Sequence, residues 1–297
     1  MDLSALEDFQ LVANHGGFGK ASRATGRSKA TLSRRVADLE EALGVRLVER
    51  GSQRLALTEA GQVLLSRTEG PLREVGEAFA AARDGMGAPR GRLRIAAPQL
   101  FSQVALGALV ARFVARYPEV QVETVSEDRF VDLVEEHFDV AIRINPRDDS
   151  NLVGRRFARD RLVLAAPPSI PMPVEKGGAP VAVPAVVMGT YRDGDVWTAR
   201  EGGLSVFPRP VLRLSSLLMV RDAVVAGAGV ALLPESILGS AIERGAVATW
   251  GSVGSEVELW VLHTSRRLQS PKVRAFVDFI VDQYPDGSFT TTSSRGP

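Results

Sequence analysis

The 297-residue chain contains no cysteine, so disulfides and thiolate metal sites are excluded. Its three histidines, His15, His137 and His263, lie far apart and show no metal-ligand spacing. No run of about 18 apolar residues occurs, so no bilayer-spanning segment is expected. Phosphate-binding and nucleophile-elbow motifs are missing, and Glu135-Glu136 reads as a charge pair on a solvated helix face. With no catalytic constellation in view, neither enzymatic activity nor a metal or cofactor is expected. The opening, Met1 to Asp8, is acidic and amphipathic rather than basic and then apolar, and a cytoplasmic protein is the expectation. Net charge is also nearly missing, at +1. Read alone, that average argues against a nucleic-acid binder.

What is present is ordinary for a globular protein: 45% hydrophobic and 24% charged residues, which excludes a disordered chain. At roughly 150 residues per domain, the length favours two domains. The charge is unevenly placed, however. Residues 20–54 hold nine basic residues against four acidic ones, a net +5, which leaves −4 for the remainder. Such concentration is the electrostatic footprint of a DNA binder, although on charge alone a solvated basic face on a small helical domain is an equal reading.

Periodicity sharpens the choice. Leu3, Leu6, Phe9 and Val12 recur at steps of three, as on one helix face. Gly16-Gly17 ends that helix, and residues 18–25 read as a short second helix with Ala21 and Ala24 inside. Gly26 makes a turn and Ser28 stands at an N-cap position. Leu32, Val36, Leu39 and Leu43 define a third helix, closed by Gly44. Residues 45–57 read as a two-stranded wing turning at Gly51-Ser52-Gln53. From Thr58 a long helix is expected to about Asp84, with Leu64, Leu65, Leu72, Val75 and Phe79 on its apolar face and a kink at Pro71. Residues 84–91 are rich in Gly and Pro and read as a linker.

Two helices joined by a Gly-containing turn, the second with a polar and basic face, make a helix-turn-helix. The candidate DNA contacts are Ser28, Lys29, Ala30, Thr31, Ser33, Arg34 and Arg35 on the recognition helix, with Arg50 and Arg54 flanking the wing turn. Ser28 and the free amides at the helix start suit a phosphate. Lys29 and Arg34 suit the acceptors of guanine, and the wing arginines suit the backbone or minor groove.

From Arg92 onward strands and helices alternate. Strands are expected at 93–97, 120–125 and 139–144, with helices at 101–116 and 128–138 between them, a βαβαβ run that argues for a parallel sheet. Further strands are expected at 162–166, 230–234 and 259–262, and helices at 217–226 and 271–283. Residues 167–190 give no clear assignment, and the Ser/Thr-rich end from 287 is expected to be disordered.

The stretch 14–50, NHGGFGKASRATGRSKATLSRRVADLEEALGVRLVER, followed by LTEAG at 57–61, resembles the winged helix-turn-helix of LysR-type transcriptional regulators. RLRIAAP at 92–98, FVDLVEEHFDVAIRI at 130–144, AGAGVALLP at 226–234 and SPKVRAF at 270–276 resemble blocks of the same family's effector domain. The resemblance implies a mixed fold. A mainly α winged helix-turn-helix occupies 1–57 and a dimerising linker helix with hinge 58–91. An α/β effector domain follows, with two lobes like those of periplasmic binding proteins. Lobe I takes 92–161 and 265–285, lobe II 162–264, and 286–297 is a disordered tail. It further implies a homodimer, commonly a dimer of dimers, on double-stranded DNA with interrupted inverted-repeat operators, and RNA polymerase as partner if the protein activates. A small-molecule effector, an anion among the candidates, would sit between the lobes, and no membrane partner is implied. The alternative is a solute-binding protein of periplasmic type with no DNA role.

Two departures stand out: the family usually has Gln and Pro where this chain has Lys29 and Ala30, and residues 167–212 are shorter than the family's segment. Crevices at strand C-termini bind ligands in such sheets. The effector candidates are therefore Gln99, Leu100, Phe101 and Ser102 after the first strand, Ser126 after the second and Arg143 at the end of the third. Arg192 and Ser215 come from the other lobe. Arg143 is open to two readings, a bidentate partner for a ligand carboxylate or a bridge to a neighbouring acid.

Overall fold

The computed structural model describes residues 3–49, 55–83, 87–146, 152–174, 179–264 and 270–289. They fall into two compact units, Met1–Gly87 and Ala88–Pro297.

The first unit holds four helices: α1 (Leu3–Asn14), α2 (Phe18–Thr25), α3 (Lys29–Leu43) and α4 (Glu59–Arg83). Leu6, Phe9 and Val12 of α1 are buried, as are Leu32, Val36 and Leu39 of α3, whereas Leu3 stays exposed. The helix ends follow from their residues. Gly26 and Gly44 adopt φ of 72° and 69°, left-handed values that cost glycine nothing. Ser28 caps α3, its Oγ accepting from the Thr31 amide at 3.1 Å. Val48 and Leu57 form a β-bridge, with the Glu49 amide donating to the Ala56 carbonyl at 2.9 Å, the base of the expected wing. The wing turn itself lies outside the described residues. α4 runs on through Pro71. Leu64, Leu65 and Leu72 pack on the head's core, while Val63, Val75 and Phe79 are exposed.

In the second unit β1 (Gly91–Ala97) leads into α5 (Gln99–Phe101), a π-helical turn at Ser102–Leu106 and α6 (Gly107–Arg116). β2 (Val120–Ser126) and β3 (Val140–Ile144) both pair with β1 in parallel. β4 (Leu152–Ala166), β5 (Val181–Met188), β6 (Trp197–Thr198), β7 (Ser205–Leu214), α7 (Leu217–Val225), β8 (Ala231–Pro234), α8 (Gly239–Glu243), β9 (Ala248–Thr264) and α9 (Pro271–Asp282) complete the order. One six-stranded sheet runs β2-β1-β3-β9-β4-β8, and a three-stranded sheet runs β5-β7-β6. α6 and α9 cover one face of the first lobe, where Phe113 sits 5.2 Å from Phe276 between ring centroids.

Three expectations are corrected and one unassigned stretch is resolved. Residues 128–138 do not form a helix but a loop with turns at 133–137. Their buried side chains are Val131, Leu133 and Phe138, while Phe130 and Val134 are exposed, a spacing no helix face provides. His137 adopts φ of 58° and ends the turn. Second, the short strands expected at 162–166 and 259–262 are parts of β4 and β9, which run 15 and 17 residues as an antiparallel pair through both lobes. Leu259–Leu262 of β9 pair with β3, while the rest of β9 pairs along β4. Third, residues 181–214 contain three strands that proline hides. Pro184 lies in β5, and Pro208 and Pro210 lie in β7 where, among the described residues, β5 alone pairs with it, so β7 behaves there as an edge. Fourth, of the tail expected to be disordered, the described residues end at Phe289 and are packed, and 290–297 lie outside the described residues. Phe289 is buried against Phe101 and Tyr284, and its amide donates to the Arg159 carbonyl at 2.7 Å.

Candidate DNA-reading surface and effector cleft

α3 is amphipathic in the sense a reading helix needs. Its inner side chains close the core, and Ser28, Lys29, Ala30, Ser33 and Arg34 are exposed. Thr31 is half-buried, with its hydroxyl 2.8 Å from Ser28 Oγ, so both help hold the helix start. Arg35 is turned back toward α1, where its Nη1 donates to Asp8 Oδ2 at 3.2 Å. Arg50 and Arg54 lie outside the described residues.

Two acids that the sequence reading passed over organise this surface. Asp8 is fully buried and receives both Arg27 and Arg35. Its signal was an acid in the apolar stripe of α1, between Ala5 and Val12. Glu40, near the end of α3, accepts from the Leu47 and Val48 amides at 2.7 and 3.0 Å and from Arg46 at 3.2 Å. It thereby fixes the wing to the recognition helix.

In the second unit β1, β2 and β3 end at one sheet edge, which brings residues 98–102, Ser126 and Arg143 together. Ser126 is exposed opposite Ala97. The Gln99 amide is already met by Asp128 Oδ1 at 2.8 Å, so this donor is not waiting for an anion. Phe101 is buried and belongs to the core. Leu100 packs with Val104 against the apolar cluster of the second lobe. Ser102 Oγ is buried without a hydrogen-bond partner in the π-helical turn, and Arg143 Nε is likewise buried and unpartnered. The remaining Arg143 donors reach the Arg129 and Val131 carbonyls at 3.1 and 3.3 Å, rather than an acid. Burial pulls the Arg143 guanidinium below its usual range, against the attraction of Glu136 and together with repulsion from Arg129.

Across the unit, the parallel strands β5 and β7 end near Arg192 and Ser215, both exposed. The residue that caps α7 is Ser216, whose Oγ accepts from Leu218 N at 3.3 Å. Open cavities of about 850 and 670 Å³ lie along the crossing strands, beside Trp260 and Arg200 in one case and Asp160 and Ser236 in the other. None of the sequence-predicted residues lines either. Among the described residues no group of three His, Asp or Glu is placed to hold a metal, and no helix is long and apolar enough to cross a membrane.

A helix-turn-helix with a bridged wing, carried on the same chain as an α/β regulatory unit whose lobes share two crossing strands, defines a DNA-binding transcriptional regulator. Comparison with known proteins places it. Residues 3–62 match the bacterial regulatory helix-turn-helix protein family model of the lysR family, and residues 86–285 match the LysR substrate binding domain. The chain belongs to the LysR family of transcriptional regulators. It is similar to the HTH-type transcriptional regulator PtxR of Pseudomonas aeruginosa, 32% identical with 94% of this chain and 91% of that protein covered. It is also similar to the HTH-type transcriptional regulator DmlR of Escherichia coli, 30% identical with 96% and 97% covered. The full-length structure of the Vibrio cholerae virulence activator AphB aligns with a TM-score of 0.55 at 26% identity, covering 96% of this chain and 100% of that one. A Corynebacterium glutamicum OxyR mutant shares the fold, with a TM-score of 0.66 at 20% identity over 96% and 93% of the two chains.

Proposed function

We propose that this regulator reads DNA with Lys29, Ala30, Ser33 and Arg34 in the major groove, Ser28 and Thr31 securing the helix start against a phosphate. The single observation that carries this is the exposed ridge itself: these side chains face outward on a helix whose opposite side is fully buried. Arg34 has the fork geometry for guanine O6 and N7, and Lys29 donates to the same edge or to phosphate. The exposed apolar residues Val63, Val75 and Phe79 on α4 suit pairing with the same helix of a second copy. Two heads in a dimer, or four in a dimer of dimers, then engage an interrupted inverted repeat. The protein acts without enzymatic chemistry, in the cytoplasm, and would contact RNA polymerase if it activates.

The effector is a small molecule bound where β1 and β3 end. Ser102 Oγ and Arg143 Nε support this reading, because buried polar atoms without a partner are costly and are met by a ligand or water. A small anion fits Arg143 best, competing with the two carbonyls that now occupy the guanidinium. It shifts the regulator only if it binds one lobe arrangement better than the other. The test is thermal unfolding of the full chain against a panel of small carboxylates and neutral analogues. A ligand bound by the folded form alone raises the apparent midpoint. The rise should disappear in Ser102→Ala and Arg143→Gln; ligands that stabilise all three proteins equally bind elsewhere.

A further inference from the structure

Asp8 has no solvent exposure, yet it faces two guanidiniums. Arg27 Nη1 meets its Oδ1, and Arg35 Nη1 its Oδ2 at 3.2 Å. One carboxylate therefore holds two cations, leaving a surplus of one positive charge. Arg27 stands immediately before the Ser28 cap, and Arg35 lies seven residues, about two full turns of α3, beyond that cap. The arginine side chains remain 41% and 37% exposed, and each binds Asp8 through one nitrogen of a group that carries five N–H donors. The helix start between them also favours an anion through its dipole.

From this arrangement, which rests on the DNA-reading account of α3, we propose a further site. Arg27 and Arg35, braced by Asp8, form a clamp for a backbone phosphate of the DNA at the edge of the reading helix. Asp8 is a positioning residue: it touches no DNA and holds both forks at a fixed orientation, which lowers the entropy lost when a phosphate is bound. The clamp carries no base information, because phosphate contacts set register and orientation. Arg35, a candidate DNA contact with no assigned role, is thereby given to the backbone, and Arg27 joins it.

The experiment measures binding of the full chain to a short duplex of random sequence as a function of salt. Arg27→Gln and Arg35→Gln keep a donor for Asp8 and remove one cation each. Each should lower the slope of log K against log salt by about 0.9, and the double variant by about twice that. Asp8→Asn makes the head more positive, so simple electrostatics predicts tighter binding. The brace predicts weaker binding, by several-fold at fixed salt, in a variant whose helix content matches the native protein. An unchanged slope in the double Gln variant, or tighter binding in a folded Asp8→Asn, overturns the clamp. If Asp8→Asn does not fold, the two arginine variants decide. A native chain that shows no salt-dependent binding would instead sink the DNA-reading account itself.

Discussion

The carbonyl oxygen of Leu47 lies 2.2 Å from where a Cβ on Gly61 would stand. The start of the wing and the first turn of α4 are thus in backbone contact. Thr58 reinforces the junction. Its Oγ1 donates to the Arg46 carbonyl at 2.6 Å and accepts from the Gly61 amide at 3.0 Å, and its own amide donates to Leu47 O at 3.1 Å. Gly61→Ala must push backbone aside and is expected to cost about 1–3 kcal/mol. Chemical denaturation of the full chain measures this; a variant as stable as the native protein would contradict the contact.

Lys272 offers a second prediction. It is buried at the first turn of α9, its Nζ donating to the Arg92 carbonyl at 2.6 Å and lying 3.9 Å from the buried Asp139. Asp139 in turn accepts from the Arg94 amide at 2.9 Å. The returning helix, β1 and the start of β3 are therefore joined through one charge pair. Lys272→Met removes this cation from beside the buried carboxylate and is expected to cost about 3–5 kcal/mol. Denaturation midpoints of the variant and of Lys272→Met/Asp139→Asn separate the loss of a pair from the loss of packing. Recovery in the double variant is the expected result.

Asp160 predicts a pH dependence. It sits on β4 where the strand passes between lobes, its carboxyl raised above the usual range by burial and held back by bonds from Ser236 and the Arg161 amide. A carboxyl whose folded value exceeds its unfolded value binds more protons when folded. Its contribution is full below the unfolded value and is lost as pH rises through the folded one. Subtracting the stability profile of Asp160→Asn from the native profile should give a difference that falls across that window. A flat difference would show that burial does not act on this group. Half-buried carboxylates such as Glu123, held low mainly by its bond from Arg92, slope the opposite way and cancel in the subtraction.

Lys29 stands where the family usually has Gln. Glutamine reads adenine through two bonds, and lysine donates to guanine or phosphate. Lys29→Gln should change the preferred base under the start of α3 without altering the salt slope by more than one charge. A binding selection that returns the same base for both proteins would remove Lys29 from base reading.

The head was legible because its punctuation is local. Gly26, Ser28 and Gly44 each do at one position what the structure shows, and the stripe through Leu32, Val36 and Leu39 sets which face is buried. The loop at 128–138 was not, because its form depends on distant partners. Arg94 donates to the Glu136 and His137 carbonyls, Arg143 to those of Arg129 and Val131. No window of neighbouring residues contains that information. The strands at 181–214 were obscured by prolines whose harmlessness depends on where a partner strand ends. At the candidate effector site, strand-end reasoning points to Ser102 and Arg143 on one sheet edge, but no local pattern reveals that Asp128 meets the Gln99 amide or that Phe101 is buried in the core.

The central claim is that the outer face of α3 reads DNA sequence. The most direct measurement is a selection from random duplexes with the native chain and with Arg34→Ala, whose side chain is exposed and outside the core. The native protein should enrich an interrupted inverted repeat, and Arg34→Ala should lose about 1–3 kcal/mol on that sequence while keeping its fold and its binding to random DNA. Enrichment of the same repeat with undiminished affinity by Arg34→Ala, or no enrichment by the native chain, would contradict the account.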